Sequence, residues 1–358
     1  MHENKQKTVL VSPMNWGLGH AARMVPVIRE LLGQGQKVII GAYGDSALLL
    51  KKEFEECTHV ELRGFTPVYS SVYSQTFALI GQSLKFLFHK IREHRKTKEI
   101  VRNYNVDLII SDNRYGVWCK KIPSALVTHQ LSPALGNRFK FLESFVSYIF
   151  SHWIKNFNEC WIPDVPGKNN LSGKLSKNDF GLNVKYSGIL SRFNKCMQNF
   201  DFEYEYLAVI SGPEPWRSIF EKDLVRLFGN LSGRSVIVRG VPGGGNEEYN
   251  YNGIILIHHL ETDALNMLMC NSRNIICRPG YTTLMDLFTI GRRALLVPTP
   301  GQPEQEYLAD HMHESYGFTK IKQHDVLKTD VKSLLKYERN IVPLKNDLLE
   351  KLLHDFFK

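Results

Sequence analysis

Twice along this chain a short apolar run ends in a glycine turn and gives way to a helix-period pattern. In the first half, Thr8-Val9-Leu10-Val11-Ser12 leads through Asn15-Trp16-Gly17-Leu18-Gly19 into a helix expected over 20–33. In the second half, Asn274-Ile275-Ile276-Cys277 leads through Arg278-Pro279-Gly280 into a helix that carries Asp286. A strand followed directly by a helix is the repeating unit of a parallel sheet, because the helix is the crossover that brings the next strand back in the same direction. Further strands are expected at 37–42, 107–111 and 124–128, then at 207–211, 235–239, 254–257 and 293–297, with a helix near 216–229. The residues themselves do not repeat; only this alternation does. The fold class is α/β, with two Rossmann-like doubly wound domains facing across a cleft and ligands at the C-terminal ends of strands.

A chain of 358 residues has material for two cores. The stretch from Pro163 to Lys177 is polar, rich in Gly, Asn and Ser, and without strong periodicity. It suggests a first domain over 1–165, a linker region over 166–206 and a second domain over 207–342.

The turns carry the chemistry. A glycine at position 280 lets backbone approach a phosphate, and the amides of a helix N-terminus bind anions. Gly280, Tyr281 and Thr282 are therefore expected beside a diphosphate, with Asp286 placed to accept two hydrogen bonds from a ribose diol. At the first turn, Gly17 and Gly19 half-match a dinucleotide fingerprint, but Ala22-Arg23 stands where the closing glycine would be. His20, held at a helix N-terminus, should be neutral there and able to take a proton. Pro242-Gly243-Gly244-Gly245-Asn246 lacks the Lys-Ser/Thr of a phosphate-binding Walker loop and reads as a surface turn. The pair His258-His259 has no third ligand at suitable spacing, so no metal site is expected.

The order Arg278-x-Gly280, an acid six residues after the glycine, then Pro298 and Gln305 nineteen residues past the acid, resembles the donor-binding half of GT-B glycosyltransferases of family 28. That family includes the N-acetylglucosaminyltransferase that forms lipid II. An uncharacterised microbial group of MurG-like proteins with an N-terminal Gly-x-Gly-His-x-x-Arg motif is more similar still. This chain has Asp286 where the lipid-II enzyme has Glu, and Glu306 where it has a second Gln. The resemblance implies an inverting transfer of a hexose or N-acetylhexosamine from a UDP-sugar to a hydroxyl acceptor, with His20 as base and Asp112 fixing its tautomer. It further implies donor contacts from Ser211, Gly212 and Arg217, from backbone near Leu260, and from Arg278, Gln302, Glu304 and Gln305. The closing helix, 343–357, is expected to pack back on the first domain. No Asp-x-Asp occurs, so helix dipole and amides rather than a metal are expected to stabilise the leaving diphosphate, and no cofactor beyond the nucleotide sugar is implied. Two other readings stay open: a UDP-sugar 2-epimerase of the same fold, and a non-catalytic nucleotide-sugar or lipid-binding protein.

The net charge of +9 asks for an acidic partner, and nucleotide diphosphate, anionic lipid and nucleic acid all qualify. No nucleic-acid motif accompanies it. Residues 73–102 run from apolar (Tyr73, Phe77, Leu79, Ile80, Leu84, Phe86, Leu87, Phe88) to basic (Lys90, Arg92, Arg95, Lys96, Lys98, Arg102), the pattern of an interfacial helix on anionic lipid. Phe141 to Trp153 is a second apolar stretch, expected in the core. A lipid-linked acceptor and a peripheral position on the inner face of the membrane follow from the resemblance and this pattern together. The six cysteines form no Cys-x-x-Cys pair and are expected as reduced thiols of a cytoplasmic protein.

Overall fold

The computed structural model describes residues 6–66, 81–196, 202–244, 247–335, 341 and 348–358. These fall into two units divided after Leu190, the first of which also takes the closing helix.

The first unit begins β1 (Thr8–Pro13), α1 (Leu18–Gly33), β2 (Lys37–Ala42), α2 (Gly44–Glu53) and β3 (Thr58–Glu61). It continues with α3 (Ser83–Asn103), β4 (Leu108–Asp112), β5 (Ser124–Val127), α4 (Glu143–Ile154), β6 (Glu159–Ile162) and β7 (Val184–Tyr186). Its sheet has the order β3-β2-β1-β4-β5-β6-β7, all parallel. The order reverses between β1 and β4. A crevice opens at such a switch point, because the connections on either side leave in opposite directions. Continuous apolar runs such as Val9–Val11 and Leu108–Ile110 are buried, as a sheet covered on both faces requires.

The second unit contains β8 (Tyr204–Val209), α5 (Trp216–Gly229), β9 (Ser235–Val238), β10 (Glu248–Tyr251), β11 (Ile254–Ile257), α6 (Thr262–Cys270) and β12 (Ser272–Cys277). It continues with α7 (Tyr281–Ile290), β13 (Leu295–Leu296), α8 (Pro303–Tyr316) and β14 (Thr319–Lys320), followed by a single helical turn over Val331–Leu334. The sheet order is β10-β11-β9-β8-β12-β13-β14, with the switch between β8 and β12. Its core gathers Phe220, Leu224 and Phe228 of α5 over Ala208, Ile237, Ile276 and Leu295.

Two expectations from the sequence, the linker and the reduced cysteines, are corrected by the fold. Residues 166–190 are not a linker: they add β7 to the first sheet and stay with that unit. Periodicity is invisible in a three-residue edge strand. Beyond the expected turn, whose described part is Pro242–Gly244, Glu248–Tyr251 form an edge strand, β10, paired antiparallel with β11 through Asn252 and Gly253. Both of these residues have positive φ (53° and 82°), as a two-residue hairpin of this hand demands. The Asn-Gly pair is the local sequence signal for that hairpin. Finally, Cys196 and Cys270 are joined in a disulfide across 74 residues, while Cys57, Cys119, Cys160 and Cys277 are free thiols.

The closing helix α9 (Leu348–Phe357) lies against the first unit, with Phe356 edge-on to Trp161 at 5.0 Å between centroids. Residues 343–347, with which the expected helix began, lie outside the described residues.

Candidate active site

In the first unit, three strand ends are brought together by register. Pro13 of β1 pairs with Asp112 of β4, and Asp112 pairs with Val127 of β5. The loop into α1 therefore leaves beside Asp112, and His129 follows on its other side. Asn113, in the left-handed region at φ 57°, turns the chain immediately after Asp112. Gly17 caps α1 at φ 76°, a conformation a side chain would strain, so that Gly19 and His20 fall in the first turn.

His20 Nδ1 lies 2.9 Å from Asp112 Oδ2. Arg23, one turn further along α1, donates through Nε to Asp112 Oδ1 at 2.8 Å and through Nη2 to the same oxygen. Its Nη2 also stands 2.9 Å from His20 Nδ1, and its Nη1 3.4 Å from His129 Nδ1. The two neighbours of His20 Nδ1 make opposite demands on it. The carboxylate wants a proton there and the guanidinium wants a lone pair. The carboxylate prevails, because Arg23 Nη2 already has Asp112 Oδ1 as acceptor, whereas a bare Nδ1 would set its lone pair against Oδ2. The neutral ring then carries its proton on Nδ1 and leaves the Nε2 lone pair for a substrate, the orientation a general base requires.

The charges agree with this. Burial is the largest influence on His20 and lowers its pKa; Arg23 lowers it further, while Asp112 pulls it up. Asp112 is itself fully buried, which raises its pKa, yet the charges of Arg23 and His20 hold it below the usual carboxylate range. Sequence reasoning named His20 and Asp112. It passed over Arg23 as an actor and missed His129, although a His directly after the strand at 124–128 was visible.

In the second unit, Val209, Cys277 and Leu296 are in register across β8, β12 and β13. The segments Ser211-Gly212, Arg278-Pro279-Gly280 and Val297-Pro298-Thr299 thus emerge side by side at the switch point. Gly280 caps α7, whose intrahelical ladder begins with Leu284 N donating to Gly280 O at 3.0 Å. Gly212, at φ 106°, has Thr299 Oγ1 within 3.8 Å of where a Cβ would stand. Two buried oxygens, Thr299 Oγ1 and Gln302 Oε1, find no hydrogen-bond partner among the described residues. Buried polar atoms are nearly always satisfied, so this loop has hydrogen-bonding capacity to spare for a ligand. Gln302 was expected from the sequence; Thr299 was not.

Other expected donor contacts are used differently. Arg278 is fully buried: Nη1 donates to Val297 O (2.9 Å) and Pro298 O (3.0 Å), and Nη2 to Gln323 Oε1 (2.7 Å) and Trp216 O (3.4 Å). Its guanidinium lies 3.9 Å from the Phe220 ring centroid, and burial lowers its pKa to about 9. Its Nη1 thus clamps the loop of Val297 and Pro298. Arg217 pairs with Glu214 and Glu221, so its charge is already met. Gln305 Oε1 accepts from Thr299 N at 2.8 Å, which ties the start of α8 to the loop. Asp286 is 8 % exposed and accepts from the Ser191 hydroxyl at 2.5 Å through Oδ1. Burial raises its pKa to about 6, against the opposing pull of Arg192 and Ser191. Tyr281 and Thr282 are buried in the first turn of α7; Leu260 and Glu304 are half-buried.

Solved structures decide the architecture. MurG of Acinetobacter baumannii superposes with a TM-score of 0.55 over 98 % of this chain and 95 % of that one, at 14 % identity. The chain has the GT-B glycosyltransferase fold. Another GT-B neighbour, the spinosyn rhamnosyltransferase SpnG solved with thymidine diphosphate, gives a TM-score of 0.57 over 98 % of this chain and 95 % of its own, at 12 % identity. In sequence, the chain is 26 % identical over 359 residues to an uncharacterised glycosyltransferase of Methanosarcina acetivorans, covering 90 % of this chain and 86 % of the relative. No protein-family model matches it.

On the first unit of this GT-B chain, α3 exposes a stripe of Leu84 (79 %), Leu87, Phe88 and Ile91, at helical spacing. The segment around α4 exposes Phe141 (78 %), Phe145 and Tyr148. This corrects the expectation of a core helix. Ser147, Ser151 and Ile154 are its buried residues, while Trp153 stacks on Phe86 at 5.6 Å and lies under Lys90 Nζ at 4.1 Å. Tyr73, Phe77, Leu79 and Ile80 lie outside the described residues. Among the described residues no helix is long and apolar enough to cross a membrane.

Proposed function

We propose that this protein is an inverting glycosyltransferase that moves a hexose or N-acetylhexosamine from a UDP-sugar to a hydroxyl acceptor. The observation that carries the proposal is the His20–Asp112 pair at a sheet switch point, with Nε2 left free of the orienting hydrogen bond. In the reaction, Nε2 takes the acceptor's hydroxyl proton as its oxygen attacks the anomeric carbon from the face opposite the diphosphate. The bond from that carbon to the diphosphate oxygen breaks, and the diphosphate leaves with the electron pair. Asp112 holds the imidazole through Nδ1 as the proton arrives at Nε2. Backbone amides at the start of α7 and the loop of Ser211-Gly212 would meet the diphosphate's charge without a metal. Asp286 would hold the ribose diol, and Thr299 and Gln302 on the loop, with Glu304 in the first turn of α8, would read the sugar. The SpnG neighbour, solved with thymidine diphosphate, supports a nucleotide diphosphate donor. That thymidine diphosphate keeps a dTDP-sugar as second reading.

A lipid-linked acceptor at the inner face of a membrane is the reading that the apolar stripes of α3 and α4 support, beside the basic residues of α3. The test is calorimetry with UDP, GDP and dTDP, then turnover of UDP-sugars with lipid extract, for wild type and His20→Ala. The variant should bind nucleotide as wild type does and turn over about 10²–10⁴-fold more slowly, the usual contribution of a general base. Equal turnover in the variant would remove the base; no binding of any nucleotide would remove the transferase reading.

A further inference from the structure

The buried guanidinium of Arg23 has no part in the reaction just described, and its position calls for a reason. Arg23 sits three residues after His20 on α1, so both side chains leave the same helical face. The ion pair it forms with Asp112 is almost wholly removed from water, at 2 % and 0 % exposure. A buried ion pair is a weak stabiliser, because desolvating both charges offsets their attraction, and apolar residues would fill the same space as well.

We infer that Arg23 is a positioning residue of the His20–Asp112 pair: its guanidinium cancels the charge that Asp112 would otherwise place on the imidazole, while leaving the orienting hydrogen bond intact. This rests on reading His20 as the base. A carboxylate that orients a histidine also makes it hold its proton, which leaves less of the free enzyme in the basic form at mildly acidic pH. With Arg23 on Oδ1, the imidazole meets a nearly neutral pair through Oδ2, and orientation is separated from charge. The groups facing His20 are Arg23 from its own helix, Asp112 from β4 and His129 from the segment after β5. Tyr115, after β4, is kept neutral by burial. Arg23 and His129 both oppose protonation of His20, and only Asp112 favours it.

The experiment is a pH titration of the histidine ring nitrogens by NMR on the whole protein. The His20 signal is identified among the thirteen histidines by its loss in His20→Gln. In wild type, His20 should titrate below its ordinary 6.5, and its neutral form should carry the proton on Nδ1. Arg23→Gln should raise the titration by about one pH unit or more, the usual effect of exposing a group to an unscreened opposite charge. Arg23→Lys, which keeps the charge, should restore most of the wild-type value. A wild-type His20 that titrates at or above 6.5, or one protonated on Nε2 when neutral, overturns the inference. So does a folded Arg23→Gln that titrates with wild type. If that variant does not fold, the wild-type titration and tautomer still decide. The titration needs no substrate, so failure to find any sugar transfer would leave its result standing.

Discussion

The ribose role proposed for Asp286 ties pH, ligand binding and stability to one side chain, and the consequences can be worked through. Its carboxyl is 8 % exposed and burial places its pKa near 6. A ribose diol donates its hydrogen bonds to the ionised form, so apparent affinity should follow the ionised fraction. That fraction is about nine-tenths at pH 7 and about one-tenth at pH 5, roughly a tenfold loss of affinity over the interval. Asp286→Asn keeps the shape but cannot titrate. It should bind UDP about tenfold more weakly at pH 7, since hydrogen bonds to a charged acceptor are worth about 1.5–3 kcal/mol against about 1 for a neutral one. Calorimetry of UDP from pH 5 to 8 on both proteins gives the answer as a ratio of affinities, from which the nucleotide's own protonation cancels. The ratio should shrink towards one as pH falls to 5. A ratio constant across the range would refute the ribose role or the raised pKa. Thermal stability supplies an independent check. The folded pKa lies above the ordinary 3.8, so between 3.8 and about 6 the folded chain holds a proton that the unfolded chain has released. Stability therefore falls as pH rises through that window, and above it the ionised carboxylate costs about 2–3 kcal/mol. Asp286→Asn should gain on wild type in Tm as pH rises from 4 to 7.

Three further outcomes are expected. Arg278→Ala should lower stability by at least about 3 kcal/mol through loss of its buried hydrogen bonds; a variant that melts with wild type would show that Arg278 is not a clamp. Reduction of Cys196–Cys270, which closes a loop of 74 residues, should cost up to about 4 kcal/mol by chain entropy. The shift in Tm with reductant should vanish in the double serine variant. A reducing cytoplasm would keep this pair as thiols, so the reduced protein is the one whose nucleotide binding matters for the proposed location. Phe88→Asp with Phe145→Asp should lower binding to anionic lipid vesicles at least about tenfold, through lost apolar burial and added negative charge; unchanged binding would remove the membrane contact.

The parts of the site legible in the sequence were those with a local cause. Gly17 before a helix, Gly280 before another, and an acid at the end of an apolar strand each follow from conformations that a few neighbouring residues impose. His20 could be read as a base because its place in the first turn of α1 depends only on that turn. The misreadings involve partners distant along the chain. Arg278, expected as a donor contact, has both Nη atoms taken by four acceptors contributed by residues 216, 297, 298 and 323, none of them near in sequence. Cys196 and Cys270 have no local signature because only packing brings them together, with a Cα separation of 5.5 Å. The apolar stretch at 141–153 misled because composition cannot say which face of a helix has a partner.

By itself the sequence determined the strand–helix alternation, the parallel sheets and the positions of the turns, since hydrophobic period and glycine act over a few residues. Tertiary structure alone decided which charged and polar groups meet. Arg23 and Asp112 are 89 residues apart, and Ser191 and Asp286 are 95 apart. Whether a carboxylate is oriented, neutralised or raised in pKa depends on the distance and burial of such partners, and those exist only once the sheets have brought strand ends into register.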